Sequence, residues 1–210
     1  MTLVYIALFF PLLPAILSII KWKSMDTPQR WFAILLWSIV IISFSGRLWT
    51  IQTQESNLPF FYIYILIEYL ILLHFFRILL KIKNSSWLFL TVGFTITWCI
   101  NICTGKGWWA FPDYIHALEA IIIITLVILW FIKMLKEKTI AQPYKTFEFW
   151  ICAGLLIFFS GNFLLFVFPK FILNTGNEVF LAIWKVNNIL NILLYSIYTI
   201  ALLCVKRRIR

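Results

Sequence analysis

The chain has 210 residues, of which 63% are hydrophobic and 12% are charged, and its mean hydropathy is +0.95. A soluble domain is about 45–50% apolar and about 25% charged, so this chain has too few charged residues to cover a water-facing surface. The composition excludes a soluble globular enzyme, a disordered chain and a coiled coil. We therefore expect an all-α integral membrane protein whose excess apolar residues face lipid.

Seven apolar segments are long enough, or nearly so, to cross a bilayer as helices, which takes about 20 residues. The sequence shows none of the alternating strands of about ten residues that a membrane β-barrel would need. Pro11 and Pro14 lie inside the first segment, and we expect a kink there because proline removes a backbone donor. The predicted spans are residues 3–20, 31–50, 59–80, 87–103, 114–131, 147–168 and 180–204.

Lys and Arg are distributed unequally between the two sides of these spans. The opposite-side loops hold only Lys106 and Lys170, while Arg47 and Lys185 fall within spans. Cytoplasmic loops are enriched in Lys and Arg, which predicts an inner-membrane protein with its N-terminus outside and its C-terminus in the cytoplasm. The net charge of +10 then reflects topology and contact with anionic lipid rather than nucleic-acid binding. The basic side comprises Lys21, Lys23, Arg30, Lys81, Lys83, Lys133, Lys136, Lys138, Lys145, Lys206, Arg207, Arg208 and Arg210.

The second and sixth predicted spans share a short pattern. Residues 42–47 read Ile-Ser-Phe-Ser-Gly-Arg, and residues 157–162 read Ile-Phe-Phe-Ser-Gly-Asn. The spans that follow can be aligned as well, which sets Glu68 opposite Asn188. The sequence thus predicts one transmembrane domain over residues 1–210 with a 3+1+3 parallel repeat, an arrangement found among transporters. The repeats are residues 1–83 and 114–210, joined by a linker helix at 87–103.

Polar and ionisable residues inside the predicted spans form a candidate ligand-binding site in the outer half of the membrane. A charge near the bilayer centre costs at least about 2.5–3.5 kcal/mol, so each one needs a partner, a watery cavity or an interface. We expect the acids Glu68 and Glu119 to be neutralised by the bases Arg47 and Lys185. The asparagines would supply hydrogen bonds. The alternative is that these side chains only hold the helices together. The candidates are Glu68, Glu119, Lys185, Asn188, Asn191, Asn162, Arg47 and His116.

Catalytic and cofactor motifs are not evident in the sequence. There is no HExxH, GxSxG or Gly-rich phosphate loop. His116 and Glu119 supply two potential metal ligands, whereas zinc usually takes at least three from protein. The four cysteines are too scattered for a disulfide framework. We expect no catalytic residues, no metal and no cofactor, and an enzymatic role is the less favoured interpretation.

Several phrases resemble a largely uncharacterised group of short, seven-span bacterial membrane proteins, some of which look like membrane sensor regions associated with histidine kinases. The resemblance implies that Glu68, Glu119, Asn162 and Asn188 are the functional positions. The phrases are residues 62–69 (Tyr-Ile-Tyr-Ile-Leu-Ile-Glu-Tyr), 75–77 (Phe-Phe-Arg), 118–120 (Leu-Glu-Ala), 149–151 (Phe-Trp-Ile), 159–162 (Phe-Ser-Gly-Asn) and 187–191 (Asn-Asn-Ile-Leu-Asn).

Together these features predict a sensor or carrier with an outward-facing polar pocket for a small molecule or a lipid headgroup. One alternative is a membrane accessory of a phage-defence or CRISPR system that modulates an effector or permeabilises the membrane. A second alternative is an intramembrane lipid hydrolase. The expected partners are the lipid bilayer, a cytoplasmic protein at the basic loops and tail, and a second copy of the chain.

Overall fold

The computed structural model describes residues 2–104, 107–109, 113–137, 142–167 and 177–205, and within these ranges it is all-helical with no β-strand. This confirms the all-α part of the predicted fold class. Short 3₁₀ turns follow the second helix and precede the sixth and seventh helices. The α-helices are α1 (Thr2–Phe9), α2 (Leu12–Lys21), α3 (Thr27–Thr53), α4 (Leu58–Leu80), α5 (Asn84–Thr104), α6 (Asp113–Glu137), α7 (Phe147–Gly161), α8 (Phe163–Val167) and α9 (Asn177–Leu203).

Six helical segments in the described part of the chain are long and apolar enough to cross a membrane. Large apolar side chains project from their outer surfaces, as a lipid-facing bundle requires; Phe89 of α5 is 76% exposed. The six segments are Ile6–Ser24, Thr27–Thr53, Leu58–Leu80, Asn84–Thr104, Tyr114–Glu137 and Ala182–Leu203.

The first of these segments is interrupted at its prolines, as the sequence predicts. The helix α1 ends at Phe9, and α2 begins at Leu12, directly after Pro11. Backbone hydrogen bonds continue across the junction, from Phe10 N to Ile6 O at 2.9 Å and from Ala15 N to Pro11 O at 3.2 Å. The break is therefore local, and the two helices act as one kinked span.

The predicted sixth span, residues 147–168, is not one continuous helix. The helix α7 is apolar but only 15 residues long, and α8 follows after a single turn residue, Asn162. Gly161 and Asn162 explain the break, because glycine is a poor helix former and asparagine competes for backbone hydrogen bonds. The Asn162 N–H still reaches Phe158 O at 3.0 Å, and Phe166 N reaches Asn162 O at 3.0 Å.

The helix α3 has a recognisable capping residue at each end, and its two ends serve to name the two ends of the bundle. Asp26 Oδ1 accepts a hydrogen bond from Gln29 N at 3.1 Å, and Gln29 Oε1 accepts one from Asp26 N at 3.2 Å. This capping box begins the helix. The helix ends at Thr53, and the residue that follows, Gln54, is in the left-handed conformation with φ of 59°. We call the end at which α3 begins and α4 finishes the lower end, and the end at which α3 finishes and α4 begins the upper end.

The helix α3 packs closely on α4, and α7 packs closely on α9, each time through a glycine of the first helix. A Cβ atom at Gly46 would lie 3.2 Å from Cβ of Phe60, and one at Gly161 would lie 2.9 Å from Cδ1 of Leu190. Small residues allow such close approach between membrane helices. A fifth helix, α6, packs against α4, α7 and α8.

The lower end is built around Phe32 of α3, which is fully buried. Its ring centroid lies 6.0 Å from that of Phe75 on α4, 5.5 Å from that of Phe147 on α7 and 4.7 Å from that of Tyr198 on α9. The last two contacts are edge-to-face, a favourable geometry for aromatic pairs. One side chain of α3 thus contacts three other helices at this end.

Candidate functional site

Buried polar side chains are few and are concentrated on four elements. Among the side chains that the structure describes, six polar or charged ones are buried. Ser18 is explained locally, because its hydroxyl donates to Ala15 O at 2.6 Å in the same helix. The other five all belong to the predicted site: Glu68, His116, Glu119, Asn162 and Asn188.

Glu119 and His116 form a buried pair on α6. The side chains are three residues apart and 0% and 3% exposed, and Glu119 Oε2 lies 2.8 Å from His116 Nδ1. The other carboxyl oxygen, Oε1, is buried without a hydrogen-bond partner. The His116 ring also packs against Phe166 of α8, with 3.7 Å between centroids. One half of the Glu119 carboxyl is therefore satisfied and the other is left open.

Glu68 is a second buried acid, on α4. It is 2% exposed, and the hydroxyl of Tyr64, one helical turn earlier, lies within reach of its carboxyl, while its Oε2 atom is buried without a partner. The carboxyl is close enough to Glu119 for the two charges to repel. Tyr195 of α9 also lies within electrostatic reach of Glu68. Two buried acids thus approach each other from different helices.

The two buried asparagines belong to α9 and to the junction between α7 and α8. Asn162 lies at the break between α7 and α8, where it is 2% exposed, and its Nδ2 atom has no hydrogen-bond partner. Asn188 of α9 is 8% exposed. An unpaired buried amide costs free energy comparable to a lost hydrogen bond, so a polar atom left open at Asn162 calls for a partner.

A cavity of about 260 Å³ opens at the upper end among α3, α4, α6, α7, α8 and α9. Tyr64 and His116 line it; His116 hydrogen-bonds to Glu119, and the Tyr64 hydroxyl lies within reach of Glu68. Each buried acid therefore lies one side chain behind the cavity wall. The remaining polar lining residues are Ser43, Asn57, Asn187, Asn191 and Tyr195.

The other predicted site residues have different positions. Asn191 is partly buried, lines the cavity and donates from Nδ2 to Asn187 O at 2.9 Å. Arg47 and Lys185 are exposed and are not lining residues of the cavity. The structure does not bring these two bases into the buried cluster, so their expected role as counter-charges stays a prediction.

Tyr64 is the most informative residue that the sequence-based site omitted. Its position one turn before Glu68 on the same helix face is a signal that could have identified it. Asn57 and Asn187 carry no such signal, because their place in the cavity depends on how separate helices pack. Across the described residues, no three His, Cys, Asp or Glu side chains are grouped so as to hold a metal ion.

No protein-family model, curated protein or solved structure matches the chain. The resemblance to sensor regions therefore stays an expectation.

Proposed function

We propose that this chain is a seven-span protein of the bacterial inner membrane that binds a small molecule or a lipid headgroup in its upper cavity, as a sensor or a carrier. The observation that carries the proposal is the connection of the cavity to Glu68 and Glu119 through Tyr64 and His116. Ionisable residues at membrane depth are most often functional, because their burial is otherwise costly.

The contrast with ordinary helix–helix hydrogen bonds supports a binding role. Where α5 packs on α4, Tyr62 Oη donates to Asn101 Oδ1 at 3.0 Å, and Tyr69 Oη donates to Leu90 O at 3.0 Å. In these contacts each hydroxyl donor has an acceptor on the neighbouring helix, as is typical of polar groups that hold membrane helices together. At the acids, by contrast, Glu68 Oε2 and Glu119 Oε1 have no partner. Water that enters with a bound ligand would supply one.

In this proposal α7 and α8 together form the sixth span along the chain, which brings the number of spans to seven. Residues 147–167 would extend about 31 Å at about 1.5 Å per residue, close to the hydrocarbon thickness of about 30 Å. The lower end carries exposed Lys23, Lys81, Lys83 and Lys136, which supports a cytoplasmic lower end, an N-terminus outside and a C-terminus inside. The cavity then opens outward.

The same proposal includes the 3+1+3 repeat. Its support is that the aligned glycines, Gly46 and Gly161, each allow close packing against the helix that follows in the aligned order. The aligned residues Glu68 and Asn188 are both buried on those partner helices. The cavity would then lie between two related halves, where transporter sites commonly form.

Ligand-induced stabilisation tests the binding site. We expect a solute or lipid to raise the melting temperature of the purified wild type, because a ligand that binds only the folded state stabilises it by mass action. Glu68→Gln should insert and fold but lose that response. The matched control is Glu137→Gln, which changes an exposed acid at the far end of α6 and should respond like wild type. Equal responses in wild type and Glu68→Gln would remove Glu68 from the site.

Cysteine labelling tests the topology. In a background without the four native cysteines, Ser56→Cys and Ser85→Cys place single thiols at the exposed upper and lower ends. A membrane-impermeant maleimide added to intact cells should label position 56 only. Labelling of position 85 instead would invert the proposed orientation.

Vesicle flux separates carrier from sensor. A carrier should move the stabilising solute into vesicles, and Glu68→Gln should abolish that flux. A stabilising solute that never crosses would assign the sensor role.

A further inference from the structure

We infer that the upper cavity recognises a small organic cation of the quaternary-ammonium or protonated-amine class. This inference rests on the proposed function and names the ligand chemistry of the same site. The cavity wall is rich in aromatic rings, whose faces carry negative potential and attract such cations. The rings belong to Phe60, Phe61, Tyr64, Phe158, Phe166, Trp184 and Tyr195.

The charges around the cavity favour the same class. Glu68 and Glu119 lie behind the wall, and none of the lining residues is Lys or Arg. No Lys or Arg side chain is buried anywhere in the part of the chain whose side chains are described. Two buried carboxyls that repel each other do not both ionise readily in an empty site. With one acid ionised and His116 neutral, the cluster carries a charge of −1, and a bound cation favours ionisation of the second acid. A cleft of one sign of charge with low-dielectric walls concentrates ligands of the opposite sign.

The size and polar groups of the cavity narrow the ligand further. A volume of about 260 Å³ is at the lower limit of typical ligand sites, which are about 300–1,000 Å³. It suits a head of the size of choline or tetramethylammonium. Ser43 and the amides of Asn57 and Asn187 line the same space and can hydrogen-bond to a hydroxyl on the ligand. An anion would meet the field of two acids with no buried base to offset it.

Chemically matched probes test the cation in protein purified in a maltoside detergent, which has no cationic headgroup to compete. We expect choline and tetramethylammonium to raise the melting temperature. The uncharged carbon analogue of choline, 3,3-dimethylbutan-1-ol, should bind at least about tenfold more weakly, because it has the shape without the charge. Short-chain phosphatidylcholine, compared with free choline, identifies the source. Tighter binding of the lipid assigns a headgroup, and tighter binding of choline assigns a solute.

Substitutions locate the effect in the named groups. Glu68→Gln and Glu119→Gln should each weaken choline binding by about tenfold or more without changing the weak binding of the alcohol. Tyr64→Phe keeps the ring and removes the hydroxyl that contacts Glu68, so it should weaken choline binding less than Glu68→Gln does. Glu137→Gln is the control and should bind choline like wild type. The probe comparison in wild type stands by itself if a variant fails to fold.

The outcomes separate this inference from the proposed function. Equal binding of choline and the alcohol, or binding of acetate in preference to both, would overturn the inferred cationic ligand. The proposed binding function of the cavity would stand. Binding of choline that survives both acid substitutions would also overturn it, because the charge would then play no part. If no solute or lipid stabilises the protein, the proposed function fails together with the inference.

Discussion

The two ends of the bundle are built on opposite principles. At the lower end, rings from four helices meet on Phe32, and lysine side chains satisfy helix ends: Lys133 Nζ donates to Leu79 O at 2.8 Å, and Lys21 Nζ donates to Val205 O at 3.3 Å. At the upper end, rings line a cavity instead of filling the space between the helices, and carboxyl oxygens of Glu68 and Glu119 are left without partners.

This difference indicates that the lower end contributes mainly to stability and the upper end mainly to binding. Buried rings in contact gain dispersion energy with every neighbour, whereas an unpartnered polar atom costs free energy until something binds to it. The comparison predicts that lower-end substitutions change stability more than ligand response, and that upper-end polar substitutions do the reverse. The predictions below run from the largest expected loss of stability to the smallest.

Phe32→Ala should cause the largest loss. Removing a fully buried ring leaves a cavity, and such substitutions cost about 3–5 kcal/mol. The free energy of unfolding, measured by denaturant titration in mixed micelles, should fall by about that amount, while the molecules that stay folded keep their ligand affinity. Phe89→Ala, at a side chain 76% exposed, is the control and should have little effect. A loss at Phe32 no larger than at Phe89 would contradict the assignment of stability to this end.

Gly46→Ala should cost about 1–3 kcal/mol, the usual range for overpacking a tight contact. The added Cβ would lie 3.2 Å from Cβ of Phe60, an atom attached directly to the backbone of α4 that cannot rotate away. Gly93→Ala is the matched control, because nothing lies within 4 Å of its added Cβ, and it should be neutral or stabilising. The same titration measures both. Equal effects at the two glycines would show that α3 and α4 can separate without cost.

Tyr62→Phe should cost only about 0.6 kcal/mol, the mean for hydrogen bonds between membrane helices. The substitution removes the hydroxyl that donates to Asn101 and keeps the buried ring. The loss should match that of Asn101→Leu, and the double variant should lose no more than one of them alone. Additive losses would mean that the two groups act separately.

Glu68→Gln should change stability least, although its effect on binding is the largest at the upper end. Glutamine has nearly the same shape, and a buried charge is removed, so the free energy of unfolding should stay within about 0.5 kcal/mol of wild type or rise. Thermal unfolding with and without choline measures both quantities. A loss of more than about 2 kcal/mol would show that Glu68 is a structural residue, and the contrast between the two ends would disappear.

The positions of the helices and of the buried polar residues could be predicted from the sequence because both depend on local chemistry. The break at Pro11 follows from a missing donor, and Glu68, Glu119 and Asn188 point inward because lipid offers them no partner. The interruption at Asn162 was not anticipated, since an apolar run of adequate length conceals a short break. Residues 168 and 206–210, which belong to the predicted sixth span and basic tail, lie outside the described residues.

The cavity and its lining could not be predicted, because they depend on how helices rotate and lean against each other. A helical repeat gives the face on which Tyr64 lies, but not the neighbour that this face meets. Arg47 and Lys185 illustrate a second limit. Their long side chains can reach an interface from inside a span, so a base within an apolar segment does not have to pair with a buried acid.

The convergence of rings on Phe32 also has a mechanical consequence. Phe32 joins all four helices at the lower end, whereas near the upper end the close contacts at Gly46 and Gly161 lie within the pairs α3–α4 and α7–α9. The two pairs can therefore tilt relative to each other about the lower end, and the distance between them changes most at the upper end. Under the proposed function, such a tilt would let the cavity close by different amounts on ligands of different size. Spin-label pairs should show broader distance distributions between α3 and α9 at the upper end than at the lower end; equal widths would indicate a rigid bundle.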